Sequence, residues 1–434
     1  MTLPPAPETP GTAAAPLPGS GAAPSSGSGA APSSGSGAAP SSGSFAHSSA
    51  SIEAFSAFEP FVVAADHVVT PYGVLAPGWL RIGGGRIAAT GAGEPPEPAT
   101  HHGHWALPGF IDLHVHGGGG ASFTEGGPDD ARRAAAFHRA HGTTRIIASL
   151  VTAPVGELER RLAMLASLAD EGVIDGLHLE GPFLSAARCG AQNPRYLIEP
   201  DVAIFERLRA AARGWLKMIT IAPELPGALD LIRAAAAGGV IAAAGHTDAS
   251  AEATAGAIDA GISHATHLFN GMRPLGHRAP GPAGALLDRQ VTCEVIADGT
   301  HLHDVTIRLI ARAVGPGNLV LITDAMAAAG MPDGTYRLGE LAVTVADGVA
   351  RLADGTAAIA GSTATMDQVV RHAVAVTGLP VPDVAVAASA TPARSLGLAA
   401  ETGALRPGLA ADVVLLDHAF RLQTVIARGA VVPA

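Results

Sequence analysis

The sequence predicts an α/β fold in which a (β/α)8 TIM-like barrel is joined to a small β-sandwich domain built from both ends of the chain. Three observations support this prediction. Eight apolar runs of strand length alternate with Ala-rich stretches of helix length through the middle of the 434-residue chain. β-Rich segments punctuated by Gly and Pro flank this middle on both sides. His, Glu and Asp residues follow five of the runs, as expected where strand ends meet at one barrel mouth.

The N-terminal residues 1–55 are expected to form a disordered, low-complexity tail. The octapeptide GSGAAPSS occurs three times between Gly19 and Ser42, and the first basic residue is Arg81. Such a segment buries too little apolar surface to offset the entropy lost on ordering. It lacks the basic start and the apolar run of about 7 to 15 residues that mark a secretory signal.

The composition excludes several classes of protein. With 48% hydrophobic and 15% charged residues, the chain can bury a large core. A net charge of −11 opposes binding to a polyanion, so we expect no nucleic-acid partner. No apolar stretch approaches the roughly 18 residues of a membrane span, so no membrane partner is expected either. Cys189 and Cys293 are the only cysteines and have no CxxC spacing, which favours a reducing cytoplasm.

Residues 56–107 and 399–434 are expected to form the small β-sandwich domain together. The first segment contains FVVAADHVVT, GWLRIGGGRIAATG and HWALPGF, and the second contains ADVVLLD and LQTVIARGAVV. Short β-rich pieces separated by turns are typical of such a sheet domain. His101, His102 and His104 lie in what we expect to be a solvated turn before the barrel, so they are not assigned to a metal.

Residues 108–398 are expected to form the barrel. The eight predicted strands are FIDLHVH, RIIASLVT, GLHLEG, LKMITIAPE, VIAAAGHT, HATHLFN, VTCEVIADG and NLVLITDA. Helical candidates between them include DDARRAAAFHRAHG, which should end at Gly142, VGELERRLAMLASLAD and ALDLIRAAAAGG. A doubly wound open sheet is the alternative. It would not bring together polar residues from the first, third, fifth, sixth and eighth strands, as a closed barrel would.

The barrel mouth is predicted to hold a metal ion. His114 and His116 are two residues apart on one strand, so both side chains point to the same face. Glu180, His246 and His267 end later strands. A single histidine in a chain with 18 of them is more often a surface or core residue than a ligand, but this set makes coincidence improbable. Imidazoles with a carboxylate suit Zn²⁺, with Fe, Mn or Co as alternatives, and predict a metallohydrolase barrel.

Asp324, at the end of the eighth predicted strand, suits the role of general base. A divalent ion lowers the pKa of bound water toward neutrality and polarises a carbonyl group. A carboxylate beside it could accept the proton of the water and pass it to the departing amine. The alternative is that Asp324 caps the helix that follows the strand.

Eleven motifs between about Phe61 and Ala434 resemble the N-acetylglucosamine-6-phosphate deacetylase family of the amidohydrolase superfamily, in that family's order: PGFIDLHVHGGGG, HLEGPFL, CGAQNPRY, APE, GHTDA, THLFNGM, HRAPG, IADGTHLH, LITDAM, IAGSTATM and TPARSLGL. The resemblance implies removal of the acetyl group from N-acetylglucosamine 6-phosphate, a step of amino sugar metabolism. It makes Glu180, His246 and His267 ligands of the principal metal and Asp324 the catalytic base. Because His114 and His116 are both present, a second ion bridged by Glu180 is also implied.

The same resemblance implies where the substrate binds. Asn270, Gly271 and Arg278 would hold the sugar phosphate, and His301 would reach the phosphate of the neighbouring subunit in a homodimer. Near the acetyl group it implies Ile359, Ala360 and Gly361, with Ala191 and Gln192 in the loop after HLEGPF. Gln192 stands where many family members have a histidine and cannot carry its positive charge. Ordinary loop packing is the alternative for His301 and residues 359–361, and Cys189 is expected to be inert.

Two other functions stay open on the sequence. The chain could be a different amidohydrolase, acting on a cyclic amide or an N-acyl amino acid. Such enzymes commonly use a carboxylated lysine as the bridge, whereas Glu180 fills the bridging position here. It could also be a non-catalytic barrel that binds a partner, although such a protein should have lost metal ligands.

Overall fold

The computed structural model describes residues 59–356 and 358–433. The tail expected over residues 1–55 lies outside the described residues.

The first strands of the described chain belong to a mixed sheet. They are β1 (Phe61–Thr70), β2 (Gly73–Leu75), β3 (Gly78–Gly83), β4 (Arg86–Ala92) and β5 (His101–Pro108). β1 pairs antiparallel with β2 and β3 and parallel with β5. The expectation that His101, His102 and His104 lie in a turn is wrong, because they extend β5. Backbone pairing with β1 overrides their polar side chains there.

The barrel strands follow, with a short hairpin of β7 and β8 after the first of them. They are β6 (Phe110–Val115), β7 (Gly117–Gly118), β8 (Ala121–Ser122), β9 (Thr143–Val151), β10 (Gly176–Glu180), β11 (Leu216–Ile221), β12 (Ile241–Ala244), β13 (Ile262–Ala265), β14 (Thr292–Ile296) and β15 (Leu319–Ile322). Eight of them pair in parallel in the order β6, β9, β10, β11, β12, β13, β14, β15. Each of the eight overlaps one of the eight predicted runs, although HATHLFN shares only His264 and Ala265 with β13.

The barrel closes between its first and last strands. The main-chain N–H of Asp324, just after β15, donates to the carbonyl oxygen of His114 on β6 at 2.8 Å. A parallel bridge joins Val115 to Ala325 beside this bond. The (β/α)8 prediction is thus confirmed, and the open-sheet alternative is excluded because an open sheet leaves its edge strands unpaired.

Helices cover the outside of the barrel. They are α1 (Pro128–Ala140), α2 (Val155–Asp170), α3 (Val202–Ala211), α4 (Ala228–Ala237), α5 (Ala251–Ala260), α6 (Gly281–Asp288), α7 (Asp304–Val314), α8 (Met366–Val376), α9 (Val381–Ala385) and α10 (Thr391–Ser395). α2 turns Leu158, Leu162 and Leu165 to the core at helical spacing. Gly142 follows α1 with φ +93°, the conformation predicted for a glycine at a helix end. Within the described residues, no helix has the length and hydropathy to span a membrane.

A three-stranded antiparallel sheet follows β15 and was not predicted from the sequence. Its strands are β16 (Gly334–Leu338), β17 (Leu341–Ala346) and β18 (Val349–Leu352). Alternate residues of β17, Val343 and Val345, pack with Met326 and Ala360 near the barrel mouth. The N–H of Ala360 donates to the carbonyl oxygen of Ala350 at 3.0 Å. The small sheet therefore holds the segment around Ala360 in place.

The last strands complete the mixed sheet begun by β1 to β5. They are β19 (Val413–Leu416), β20 (Leu422–Ala427) and β21 (Ala430–Val431). β19 pairs antiparallel with β5, so the strand order is β21-β20-β19-β5-β1-β3-β4, with β2 on β1. Val63, Leu80 and Ile82 from one end of the chain share a buried cluster with Leu415 and Ile426 from the other. The predicted small β domain drawn from both chain ends is therefore present.

Candidate active site

Six buried polar residues lie where the barrel strands end. His114 belongs to β6 and His116 follows that strand, Glu180 is the last residue of β10, and the other three lie two residues after β12, β13 and β15. The six are His114, His116, Glu180, His246, His267 and Asp324, and none is more than 8% exposed. Because parallel strands point the same way, their ends bring together residues far apart in sequence.

The six residues form two groups of three. His114, His116 and Asp324 make one group, and Glu180, His246 and His267 the other; the ligand atoms within each lie within 4.8 Å of one another. Oε1 of Glu180 lies 2.9 Å from Nε2 of both His246 and His267. Its other oxygen, Oε2, lies 3.2 Å from Nε2 of His116. The Glu180 carboxylate thus lies between the two groups.

The imidazoles turn the same nitrogen, Nε2, to the centre of the site. On the outer side, Nδ1 of His114 faces Glu294 Oε2 at 3.3 Å and Nδ1 of His116 faces the carbonyl oxygen of Ser149 at 3.2 Å. Nδ1 of His246 faces the carbonyl oxygen of Arg188 at 3.0 Å. An acceptor at Nδ1 favours the tautomer with its lone pair on Nε2, which is the form that binds a metal.

The charges of the site also suit a cation. Burial lowers the pKa of His116, but hydrogen bonds that its ring donates to Asp324 and Glu180 outweigh this effect and raise that pKa to about 9. Burial opposes ionisation of Glu180, yet His114, His116 and His246 hold its pKa well below its usual range. The carboxylates therefore create a negative potential where the imidazole lone pairs converge. Two groups of imidazole and carboxylate donors in that potential fit one or two divalent ions.

Three of the six residues have an unusual backbone conformation. The φ angles of His246, His267 and Asp324 are +45°, +28° and +49°. Residues other than glycine rarely adopt positive φ, and such strain concentrates at functional sites where the surrounding structure imposes it.

Residues beneath the site support it, and the sequence did not assign them a role. His178 is buried, bonds Ser149 Oγ and Thr220 Oγ1 at 3.0 and 2.9 Å, and lies edge-on to the ring of His114. Asp112 accepts from the hydroxyl of Thr323 at 2.5 Å, and burial raises its pKa to about 7. His178 lies in HLEGPF and Asp112 in PGFIDLHVHG. The signal in the sequence that could have identified them is a polar residue within an otherwise apolar strand.

Asn270 and Gly271, expected at the sugar phosphate, lie beside the second group. Nδ2 of Asn270 donates to the carbonyl oxygen of His267 at 3.1 Å. Gly271 has φ +61°, and a Cβ atom there would lie 2.9 Å from Nδ1 of His246. A side chain at this position would collide with a candidate ligand, so the close approach requires glycine.

Gln192, expected near the substrate carbonyl, has both ends of its amide bonded to protein. It is buried, donates from Nε2 to Glu180 Oε2 at 2.6 Å and accepts at Oε1 from the N–H of Thr152 at 2.7 Å. Ala191, beside it, packs against the cluster under the three-stranded sheet.

His301, Ile359 and Gly361 line one cavity, together with Asp298 and Ser362. Nδ1 of His301 lies 2.7 Å from Asp298 Oδ2. A Cβ atom on Gly361 would lie 2.8 Å from the carbonyl oxygen of Asp324, so this segment packs against the main chain of the candidate base. Ala360, between them, is fully buried and faces away from solvent.

Arg278 differs from the arginines near it. Arg188 and Arg273 both bind Asp248, at 2.8 and 2.6 Å. Arg278 is exposed and has no hydrogen bond or ion pair with any residue in the described part of the chain. Its guanidinium group is thus available to an anion.

Known proteins resemble this chain over most of its length. Residues 105–432 match the Amidohydrolase family. The chain belongs to the amidohydrolase family. Its relatives include an N-acetylgalactosamine-6-phosphate deacetylase of Escherichia coli O157:H7, 37% identical over 85% of this chain and 98% of that protein. An N-acetylglucosamine-6-phosphate deacetylase of Bacillus subtilis (strain 168) is 35% identical over 83% of this chain and 94% of that protein.

A solved structure adds to these amidohydrolase relatives. A point mutant of N-acetyl-D-glucosamine-6-phosphate deacetylase from Mycobacterium smegmatis, in complex with N-acetyl-D-glucosamine-6-phosphate, is 48% identical to this chain. The match has a TM-score of 0.84 and covers 87% of this chain and 100% of that one. The resemblance inferred from the motifs is confirmed, and the chain belongs to a family of hydrolases. Nothing among these relatives favours a cyclic amide, an N-acyl amino acid or a non-catalytic barrel.

Proposed function

We propose that this protein removes the acetyl group from N-acetyl-D-glucosamine 6-phosphate, giving D-glucosamine 6-phosphate and acetate. The observation that carries the proposal is the pair of buried ligand groups, in which Glu180 of one group lies 3.2 Å from His116 of the other. The chain that holds them is 48% identical to a deacetylase of that sugar phosphate. The main alternative is the galactosamine epimer, because one relative is named for it.

Catalysis is proposed to rest on Asp324. A divalent ion bound at the barrel mouth supplies Lewis acidity, which makes water more acidic and the acetyl carbonyl more electrophilic. Asp324 Oδ1 lies 3.2 Å from His116 Nε2, at the centre of the site. Burial opposes its ionisation, but His114 and His116 hold the pKa of Asp324 below its usual value, so the carboxylate is the form present. It accepts a proton from the attacking water and returns it to the sugar nitrogen as the C–N bond breaks.

The metal is proposed to be zinc, with iron, manganese or cobalt as substitutes. Glu180, His246 and His267 would hold one ion, and His114 and His116 a second. Glu180 has one oxygen toward each group, which supports a shared carboxylate. Four imidazoles and a carboxylate are the ligands that zinc prefers.

Substrate binding is proposed to involve residues around this centre. The main chain at Asn270 and Gly271 and the guanidinium of Arg278 would hold the phosphate. Arg278 suits this role because it is exposed and makes no hydrogen bond or ion pair with residues 59–356 or 358–433. Ile359, Ala360 and Gly361 would contact the acetyl group, because Gly361 packs against the main chain of Asp324. Ala191 and Gln192 would border the same space.

A homodimer in which His301 reaches the phosphate of the neighbouring subunit is also proposed. Val305 and Leu309, one turn apart on α7 just after His301, are 47% and 59% exposed. Two exposed apolar side chains on one helix face support contact with another subunit. Light scattering on the wild type and on Leu309→Glu tests the dimer, which the charged side chain should weaken.

We further propose a reducing cytoplasm as the compartment, since both cysteines, Cys189 and Cys293, are unpaired. The domain division at 56–107 with 399–434 and at 108–398 is proposed as well. Its support is that residues 61–108 and 413–431 contribute to one sheet.

The function is tested by acetate release, with metal content measured on the same sample. Four substrates are compared: the 6-phosphates of N-acetylglucosamine, N-acetylgalactosamine and N-acetylmannosamine, and unphosphorylated N-acetylglucosamine. Release that is fastest with N-acetylglucosamine 6-phosphate, is lost on chelation and returns with zinc is the expected result. If acetate is released fastest from N-acetylgalactosamine 6-phosphate, that sugar phosphate is the substrate instead. No release from any of the four sugars by metal-loaded protein would overturn the proposal.

A further inference from the structure

Glu294 is a fully buried carboxylate in the wall of the barrel. It lies in β14, the strand Thr292–Ile296, and has 0% exposure. Burying a carboxylate costs several kcal/mol unless charged or polar partners compensate. A position inside a barrel would normally hold an apolar residue, so this glutamate needs a reason for its presence.

The partners of Glu294 are two of the candidate metal ligands. Its Oε2 lies 3.3 Å from Nδ1 of His114 and accepts from the main-chain N–H of His267, also at 3.3 Å. Its Oε1 has no hydrogen-bond partner among the residues that the structure describes. Oε2 of Glu294 therefore contacts both ligand groups. It bonds the imidazole of His114 in one group and the main chain of His267 in the other.

Glu294 also differs from the acceptors at the other imidazoles. Nδ1 of His116 faces the main-chain carbonyl of Ser149, and Nδ1 of His246 faces that of Arg188. These acceptors are neutral, whereas Glu294 is a carboxylate. A carboxylate behind a ligating imidazole fixes its tautomer and orientation and makes the inner nitrogen more basic.

We propose that Glu294 is a positioning residue that sets the affinity of one ligand group, at His114 and His116, for its metal ion. It accepts Nδ1–H of His114, so that the lone pair of Nε2 faces the ion. Glu294 itself touches neither the ion nor the substrate. The inference rests on the proposed function only in requiring that this group binds a metal.

The test compares zinc binding by the full-length wild type, Glu294→Gln and Glu294→Met. Zinc content and competition with a fluorescent chelator are measured. Glutamine keeps an oxygen that can accept from His114, whereas methionine has a similar size and no such oxygen. We expect Glu294→Met to lose about 10- to 100-fold in affinity for one of the two ions and Glu294→Gln to lose less. Equal affinity in all three proteins would overturn the proposal.

Thr391→Val is the matched control. Thr391 is also fully buried, and its hydroxyl donates to the main-chain carbonyl oxygen of Pro316 at 2.8 Å, so it bonds no candidate ligand. This variant should bind zinc as the wild type does. Zinc loss in Thr391→Val as large as in Glu294→Met would show that any buried polar change has this effect, which contradicts a specific role.

A double-mutant cycle shows whether Glu294 acts through His114. In a His114→Ala background the further change Glu294→Gln should leave zinc affinity unchanged, and an added loss would overturn the proposal. Because glutamine is nearly isosteric with glutamate, this double-mutant cycle can be measured even if Glu294→Met does not fold. Acetate release by the wild type distinguishes the proposed function from the proposed role of Glu294. If the wild type binds two zinc ions and releases acetate while the Glu294 variants keep its zinc affinity, only the role of Glu294 is contradicted. A wild type that neither binds zinc nor releases acetate contradicts both.

Discussion

Gln192 donates a hydrogen bond of 2.6 Å to Oε2 of Glu180, the carboxylate that lies between the two ligand groups. The same side chain accepts from the main-chain N–H of Thr152 at 2.7 Å. Gln192 therefore ties the loop after β10 to the neighbouring strand β9 and restrains the rotation of Glu180. A buried amide with both ends bonded supports the geometry of the site.

Gln192→Ala should lower kcat and destabilise the fold. Two buried groups, the Thr152 N–H and a Glu180 oxygen, would lose a partner, at a cost of about 1–3 kcal/mol each. Steady-state kinetics and thermal unfolding measure the two effects. Asn193→Ala is the control, because Asn193 is the next residue and bonds the exposed Glu340. Wild-type kinetics in Gln192→Ala would show that Glu180 needs no such restraint.

Asp324→Asn should keep the zinc content and lose turnover. The amide is nearly isosteric with the carboxylate but cannot accept a proton, and loss of a general base lowers kcat by about 10² to 10⁴. KM should change little. Metal analysis and steady-state kinetics on one preparation test this, and a kcat near the wild-type value would remove Asp324 from the role of base.

Arg278→Ala should raise KM for the phosphorylated sugar by about tenfold or more, because a charged hydrogen bond to phosphate contributes about 1.5–3 kcal/mol. The slower reaction with unphosphorylated N-acetylglucosamine should not change. Arg233→Ala, at an exposed arginine on α4, controls for the loss of a surface charge. An equal loss with both sugars would argue against phosphate recognition by Arg278.

Gly271→Ala should destabilise the fold by about 1–3 kcal/mol and lower activity, because φ is positive there and the new Cβ meets the ring of His246. Gly256→Ala is the matched control. Gly256 lies within α5, and a Cβ there meets no atom within 4 Å. That variant should gain about 0.5–1 kcal/mol, since alanine favours a helix. Chemical denaturation of both variants gives the comparison.

Stability should fall between about pH 6.5 and pH 4, in part through His138. Burial lowers the pKa of His138 from 6.5 to about 4, and its Nε2 lies 2.8 Å from the carbonyl oxygen of Gly117. The unfolded chain therefore binds the proton first as the pH falls. The contribution of His138 to the free energy of unfolding is fully present above pH 6.5. At about 1.4 kcal/mol per pKa unit it amounts to about 3 kcal/mol.

His138→Gln isolates this contribution from those of other titrating groups. Its free energy of unfolding should fall less steeply than that of the wild type over the same range. Urea denaturation at several pH values measures both slopes, and parallel slopes would mean that His138 does not contribute.

Much of the fold was predictable because the signals are local. The eight apolar runs overlap the barrel strands, and Gly142 follows α1 with positive φ as expected. The sheet of β16 to β18 was missed although its signals are present. LAVTVA alternates apolar and polar residues, and the following Asp347 and Gly348 mark a turn. His101 to His104 were misassigned because strand pairing overrode their polarity.

The sequence by itself determined which residues could form a metal site, because alternation along a strand decides which side chains share a face. Only the tertiary structure decided how they are held. Glu294 and His114 are 180 residues apart, and the bond between Gln192 and Glu180 depends on how a loop folds back over its strand. The positive φ of His246 and Asp324 likewise comes from surrounding packing. Such contacts between residues distant in sequence produce no periodic pattern in the chain, because closure of the barrel decides which residues become neighbours.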